Sequence, residues 1–330
     1  MSGKPKIIIA DFIADALKIE KHILGDYADI VALNAVNETE LVGKIEDADA
    51  IILYHCISLG KDSIRRLKNC KLILRAGVGI DNVDLAFARS RGIPVANIPD
   101  YGSEDVADTA IGMMLALTRG ISLLNSRLQN NIGDWSYLQA KPLSRLRNKI
   151  LGIIGLGRIG TATALRAKSF GMNVIFYDPY KPDGFDKALG IGRFYNLSEL
   201  LAKVEILTLH CPLTRETHHL INSESLKNLP MGSYLINTSR GNVVDTSAIP
   251  SAIETGRLSG AAFDVLGQEP PLDDVLVDAW RNPLHPAFHK VLINPHSAFY
   301  SEEGLEEIRV KGIQACIRAI QGTEIRNVVN

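Results

Sequence analysis

Three short segments in the second half of the chain each set a reactive side chain just beyond an apolar run that reads as a β-strand. They are Asn237-Thr238-Ser239-Arg240-Gly241, Asp264 through Glu269-Pro270, and Asn294-Pro295-His296-Ser297. Ligands bind outside the carboxyl ends of the strands in an open α/β sheet, so this placement offers all three side chains to one ligand. A planar guanidinium at Arg240 suits a carboxylate, which it grips through two parallel hydrogen bonds. An imidazole at His296 can give a proton to a carbinol oxygen, or take one from it, while hydride moves at the adjoining carbon. A carboxylate at Glu269 beside it would stabilise the imidazolium. Taken singly, each has a plainer reading: a surface ion pair for Arg240, a solvated turn for Glu269, a polar residue near a helix end for His296. The other histidines, such as His218, His219, His285 and His289, have no such placement and read as structural.

What turns the three towards chemistry is a segment upstream. The run Ile150-Leu151-Gly152-Ile153-Ile154 leads into Gly155-Leu156-Gly157-Arg158-Ile159-Gly160 and then into the helix-like Thr161-Ala162-Thr163-Ala164-Leu165-Arg166-Ala167. A G-x-G-x-x-G alone is weak. Between a strand and a helix it has a mechanism: the first glycine makes a tight turn, the second admits a pyrophosphate, and the third lets helix and strand close up. The following strand-like run, Asn173 to Tyr177, ends at Asp178, which lies 18 residues beyond Gly160 (178 − 160). A carboxylate there accepts from the adenosine 2′-hydroxyl and repels a 2′-phosphate, favouring NAD over NADP, with Lys181 nearby weakening the preference a little.

The elements that must position these groups form two arrays. Buried-strand patterns at 6–10, 29–32, 50–53, 72–75 and 95–97 alternate with helical patterns at 13–24, 38–47, 61–69 and 83–91. A long helical stretch over 103–130, opened by Ser103 as N-cap with Glu104 and Asp105 behind it, carries the chain onward. Six further strands are expected at 150–154, 173–177, 206–209, 234–237, 260–264 and 291–293, the number of a dinucleotide fold. The Pro-rich stretch 268–290 reads as a long loop, and a last helix spans roughly 304–321. The expected architecture is α/β: two Rossmann-like or flavodoxin-like βαβ domains with parallel sheets, a substrate domain from 1–100 plus 300–330 and an NAD-binding domain over 101–299.

Bulk properties agree with this division. A chain of 330 residues with 46% apolar content exceeds what one core usually serves. Its 36 basic and 37 acidic residues are not gathered into basic blocks, so neither nucleic acid nor membrane is an expected partner. Cys56, Cys70, Cys211 and Cys316 form no CxxC pair and no zinc spacing, so they read as reduced, mostly buried thiols and no metal is expected. The N-terminus leads directly into Ile7-Ile8-Ile9 with no signal-peptide core, and a cytoplasmic location is the expectation.

Over nearly its whole length the chain resembles the D-isomer-specific 2-hydroxyacid dehydrogenases, and within them the C-terminal binding protein-like branch. The match runs through Arg75-Ala76-Gly77-Val78-Gly79-Ile80-Asp81-Asn82, the glycine fingerprint, Phe176-Tyr177-Asp178-Pro179-Tyr180, His218-His219-Leu220-Ile221-Asn222, Asn237 to Gly241 and Pro295 to Glu302. The resemblance implies that Arg240, Glu269 and His296 are the catalytic triad and that the backbone at Val78 and Gly79 holds the substrate carboxylate in a cleft between domains. It also implies NAD contacts from Thr109, from Cys211-Pro212-Leu213 through Thr217, from Thr238 and Ser239, and from Asp264, whose carboxylate would face the nicotinamide amide. A homodimer joined through the coenzyme domains, with 103–130 at its interface, is implied too. Two departures stand out: Phe299 occupies a position near the substrate where that branch has tryptophan, and the connection from Glu269 to His296 is longer by roughly one short helix or loop. A lengthened loop there can reshape the pocket. Two functions therefore compete. One is reversible NAD-dependent reduction of a small 2-keto acid to a D-2-hydroxy acid, with Tyr54, Tyr101, Phe299 and the 270–290 stretch selecting the acid. The other is an NAD(H)-sensing corepressor or interaction protein with incidental catalysis.

Overall fold

The computed structural model describes residues 3–330, and these divide into two compact units, 3–102 with Tyr300–Asn330, and Ser103–Phe299. In the first, the strands β1 (Lys6–Ile9), β2 (Asp29–Ala32), β3 (Ala50–Leu53), β4 (Leu72–Arg75) and β5 (Val95–Asn97) alternate with helices α1 (Lys18–Leu24), α2 (Lys61–Arg66) and α3 (Leu85–Ser90). All strand pairs are parallel, in the order β2-β1-β3-β4-β5. Parallel strands covered on both faces need apolar side chains on both. Accordingly Ile7, Ile8, Ile9, Ile51, Leu53, Ile73 and Leu74 are all buried.

The C-terminal helix, Glu302–Ile320, belongs to this unit. Ser301 caps it by accepting from the Gly304 amide. Gly312 of this helix faces Leu74, Ile52 and Ile98, at 3.4 to 3.9 Å from where its Cβ would be, so the helix lies in contact with the sheet. The same helix buries Arg309 against Glu20 of α1 (Nε to Oε1 2.6 Å, Nη2 to Oε2 2.7 Å) and against Asp15 (2.6 and 2.9 Å). The Arg309 bond holds the Asp15 carboxyl below its ordinary value. Glu20 is 1% exposed, so Arg309→Met would strand a buried carboxylate. Loss of about 3–5 kcal/mol is expected, read as a lower denaturation midpoint.

Local expectations fail in places for identifiable reasons. The helix read over 38–47 shrinks to a single 3₁₀ turn, Glu38–Leu41, because Gly43 turns out at φ 80°. Only 18–24 of the 13–24 pattern is helical.

In the second unit, α4 (Ser103–Thr118) and α5 (Ile121–Gln129) precede seven parallel strands: β6 (Ile150–Ile154), β7 (Asn173–Tyr177), β8 (Gly192–Phe194), β9 (Ile206–Leu209), β10 (Ser233–Asn237), β11 (Leu258–Phe263) and β12 (Val291–Ile293). Their order is β12-β11-β10-β9-β6-β7-β8. Six strands were expected. The seventh, Gly192-Arg193-Phe194, is three residues at the sheet edge with no apolar run to announce it. Helices α6 (Arg158–Ser169), α7 (Phe185–Leu189), α8 (Leu197–Leu201), α9 (Ser223–Lys227), α10 (Ile249–Glu254) and α11 (Val275–Arg281) lie between strands. The last of these corrects the reading of 268–290 as loop: Asp274 caps a helix that buries Leu276, Val277 and Ala279.

The stretch 103–130 is two helices, bent by 63°, where Gly120 takes φ 63°. Ser103 lies inside the first turn of α4, and its buried hydroxyl makes no hydrogen bond, so it does not cap. Among the described residues no single helix is long and apolar enough to cross a membrane. None of the four cysteines is in a disulfide; Cys211 and Cys316 are buried, Cys70 half-buried and Cys56 exposed.

Candidate active site

The strand order reverses between β6 and β9, which run parallel: from β6 the sheet grows one way through β7 and β8, then the other way from β9 to β12. The carboxyl edge at such a switch is a ready crevice, and the glycine fingerprint sits there. Gly155 leaves β6 at φ 88°, and a side chain on it would strike the Cys211 amide at 2.6 Å. Gly160 packs so tightly that its missing Cβ would lie 2.2 Å from the Gly155 carbonyl oxygen. Gly157, the N-cap of α6, differs: no protein atom lies within 4 Å of where its Cβ would be, and it has no side-chain cap. Open space over the leading amides of a twelve-residue helix is what an incoming phosphate requires. The glycines thus divide into two that close backbone on backbone and one that leaves room. Gly160→Ala is expected to weaken NADH binding roughly tenfold or more through this overpacking, measured by fluorescence titration.

Arg158 and Ile159 form the first turn of α6. Asp178, at the end of β7, accepts from the Leu156 amide at 2.8 Å and the Tyr180 amide at 3.0 Å, which ties this carboxylate to the fingerprint itself. Arg193, from the unexpected strand β8, donates to the carbonyls of Lys181 (2.6 Å), Pro182 (3.0 Å) and Asp178 (3.4 Å) and so shapes the same loop.

Cys211 is buried behind Gly155, and burial pushes its thiol up to about 12. Pro212 is exposed beyond it, and Thr217 spends its hydroxyl within the loop, donating to Pro212 O at 2.6 Å and accepting from the Thr214 amide at 2.8 Å. Thr109 reaches Ala298 O only at 3.5 Å. The Thr238 hydroxyl is buried with no hydrogen-bond partner, a cost that a bound polar ligand would relieve. With the open Gly157, it makes this edge fit a dinucleotide.

Arg240, Glu269 and His296 follow β10, β11 and β12, three neighbouring strands. Asn237, fully buried at the end of β10, builds the turn before Arg240: its Oδ1 accepts from the Ser239 amide (3.0 Å) and hydroxyl (2.7 Å), and its Nδ2 donates to Arg240 O (2.9 Å). Arg240 Nη1 donates to Ser239 O at 2.8 Å. Gly241 must be glycine, because a Cβ would lie 1.9 Å from the Leu266 carbonyl carbon. That contact seats the Glu269 loop on the Arg240 turn.

Glu269 divides its two oxygens. Oε1 accepts from the Leu266 amide at 2.8 Å, and Oε2 meets His296 Nδ1 at 2.6 Å. An imidazole engaged at Nδ1 presents Nε2 as its working nitrogen. His296 stands at φ 52°, a left-handed backbone that a non-glycine residue adopts only when held there. Asp264 holds it: its carbonyl accepts from the His296 amide at 2.7 Å, and its carboxylate accepts from the amides of Ser297 (2.9 Å) and Ala298 (3.0 Å). Burial raises the Asp264 carboxyl above its ordinary value, and those two amides with nearby His296 oppose the rise. A large part of this carboxylate's bonding thus goes to the His296 segment, a role the sequence did not disclose. Phe299 is half-buried and meets the His296 ring edge-on, centroids 6.1 Å apart. Val78 and Gly79 lie in the first unit, in the loop that follows β4, where Val78 is 39% exposed. No group of His, Cys, Asp and Glu suited to a metal occurs among the described residues.

Residues 111–298 match the model of the D-isomer specific 2-hydroxyacid dehydrogenase NAD binding domain. Over 326 residues the chain is 34% identical to D-3-phosphoglycerate dehydrogenase of Methanocaldococcus jannaschii, covering 98% of this chain and 59% of that protein. Over 328 residues it is 34% identical to C-terminal-binding protein 1 of Caenorhabditis elegans, covering 97% and 44%. The chain therefore spans about half the length of these curated relatives. Among solved structures, D-lactate dehydrogenase from Aquifex aeolicus, complexed with NAD and lactic acid, superimposes with a TM-score of 0.86 at 28% identity, covering 96% of each chain.

Proposed function

Because the chain belongs to the D-isomer-specific 2-hydroxyacid dehydrogenase family, with the family's NAD-binding domain and NAD as coenzyme, we propose that it interconverts a small 2-keto acid and the D-2-hydroxy acid. The observation that carries this reading is the Glu269–His296 pair at 2.6 Å on the strand-end next to Arg240. Bound NAD(H) supplies or accepts the hydride. Arg240 grips the substrate carboxylate and polarises the neighbouring carbonyl. His296 delivers a proton to the carbonyl oxygen in reduction and removes it in oxidation. Glu269 holds the imidazole by Nδ1 and balances the charge that it carries. On this reading the Val78 and Gly79 amides are a further carboxylate contact. Phe299, Tyr54, Tyr101 and the α11 segment choose among acids. Contacts of NAD with Thr109, Cys211, Pro212, Thr217, Thr238, Ser239 and Asp264, and a cytoplasmic location, are part of the same proposal.

A homodimer is proposed with it. In support, α5 buries none of its residues, and Trp135 and Tyr137 behind it are 90% and 80% exposed. So large an aromatic exposure is characteristic of a contact surface. Light scattering that gives a monomer mass would remove this part.

The test of the activity is NADH oxidation against glyoxylate, hydroxypyruvate, pyruvate, phenylpyruvate and branched 2-keto acids. Turnover confined to one or two of them supports the dehydrogenase and names its substrate. The identity to a C-terminal-binding protein supports a second reading, an NAD(H)-sensing interaction protein. A flat panel beside tight NADH binding and an NADH-dependent change in assembly would favour it.

A further inference from the structure

The loop following β4 has its carbonyls taken one after another from within its own unit. Ala76 O accepts from Arg75 Nη1 at 2.7 Å, Gly77 O from the Ile98 amide at 3.1 Å, and Val78 O from Asn97 Nδ2 at 2.8 Å. A trans peptide is planar, with its C=O and N–H pointing in opposite directions. Fixing these three carbonyls therefore aims the amides of Gly77, Val78 and Gly79 the opposite way, and none of the three has an acceptor among the described residues. Backbone amides left without an acceptor are the groups that an anion at this loop would use.

The frame behind the loop is buried and polar. The Arg75 guanidinium fills the side-chain place of Gly77, whose Cβ would lie 1.6 Å from Nη1. Asn82 accepts from Arg75 Nε at 3.2 Å and donates to the carbonyls of Tyr54 and Ile57, each at 2.8 Å. Asp11, fully buried, accepts from the amides of Tyr54 (2.6 Å), Cys56 (2.8 Å) and Ile57 (3.3 Å). Apart from the side-chain pair of Arg75 and Asn82, these bonds hold backbone in the 54–57 segment, while Arg75 and Asn97, at the end of β5, hold it at 76 and 78.

We propose that Asn97 is a positioning residue for the substrate carboxylate: by holding the Val78 carbonyl it aims the Gly79 N–H, upon the peptides already set by Arg75 and Ile98. The proposal rests on the reading of Val78 and Gly79 as a carboxylate contact in a dehydrogenase. Asn97 itself touches no substrate, so its removal acts on binding of the acid and leaves the coenzyme alone.

The experiment compares full-length wild type with Asn97→Ala, Asn97→Asp and Asn97→Gln, using the 2-keto acid that the panel identifies. For Asn97→Ala, KM for the acid is expected to rise on the order of 5- to 10-fold, the worth of one hydrogen bond, with kcat and the NADH Kd little changed. Asn97→Asp should be worse, because it turns an oxygen on the Val78 carbonyl, and Asn97→Gln, which keeps the donor, should recover part of the loss. Asn97 is only half-buried; should the alanine variant misfold, the aspartate and glutamine pair decides alone. Unchanged KM in the folded variants overturns the proposal while the dehydrogenase stands, and so does a joint loss of kcat and NADH affinity. A wild type that reduces no 2-keto acid overturns the dehydrogenase reading, and this role with it.

Discussion

Replacing His296 with glutamine is expected to lower kcat by roughly 10³-fold or more, the upper part of what positioned acid–base catalysis contributes, while NADH binds as before. Glutamine is close in size and can still bond to Glu269, but it has no proton to exchange at neutral pH. The backbone that carries the residue does not depend on the ring. Three amides in succession, at 296, 297 and 298, are held by the Asp264 carbonyl and carboxylate, so the loop keeps its place in the variant. Steady-state kinetics with the acid found in the panel, beside an NADH titration, make the comparison. Undiminished turnover in His296→Gln would remove His296 from the chemistry, and lost NADH affinity would show that the variant had disturbed the fold.

Arg240→Lys is expected to lower kcat/KM by about 100-fold, near the worth of a hydrogen bond to a charged group and of the second bond that a fork provides. A lysine keeps the charge but reaches the carboxylate as a point, without a planar pair of donors. It also gives up the Nη1 bond to Ser239 O that orients the guanidinium. If Arg240 both holds the carboxylate and polarises the carbonyl, KM rises and kcat falls together; a change in KM alone would confine it to binding. Equal kinetics in the two proteins would dismiss the bidentate contact.

Much of this site was legible in the sequence because its signals are local. Gly155, Gly157 and Gly160 lie in one strand–turn–helix unit, and each has a conformational or packing reason visible at that scale. Asp178 is one strand further, within reach of a count of residues along the chain. The apolar runs of β1, β3, β4 and β6 declared themselves because buried parallel strands need apolar residues on both faces. The same criterion could not detect β8, whose three residues include Arg193, or α11, whose short buried stripe sits among prolines.

The sequence by itself thus determined the α/β class, the coenzyme fingerprint and the residue types available for chemistry, since each depends on neighbours within a few tens of residues along the chain. Tertiary structure alone decided which partners those residues have. Glu269 meets His296 across 27 residues because β11 and β12 pair side by side. Asp264 clamps the amides of Ser297 and Ala298 across the same junction, and Asn97 finds the Val78 carbonyl because β5 runs beside β4. Hydrogen bonds act over about 3 Å, and which groups come that close is set by strand order, a property that no local spacing encodes.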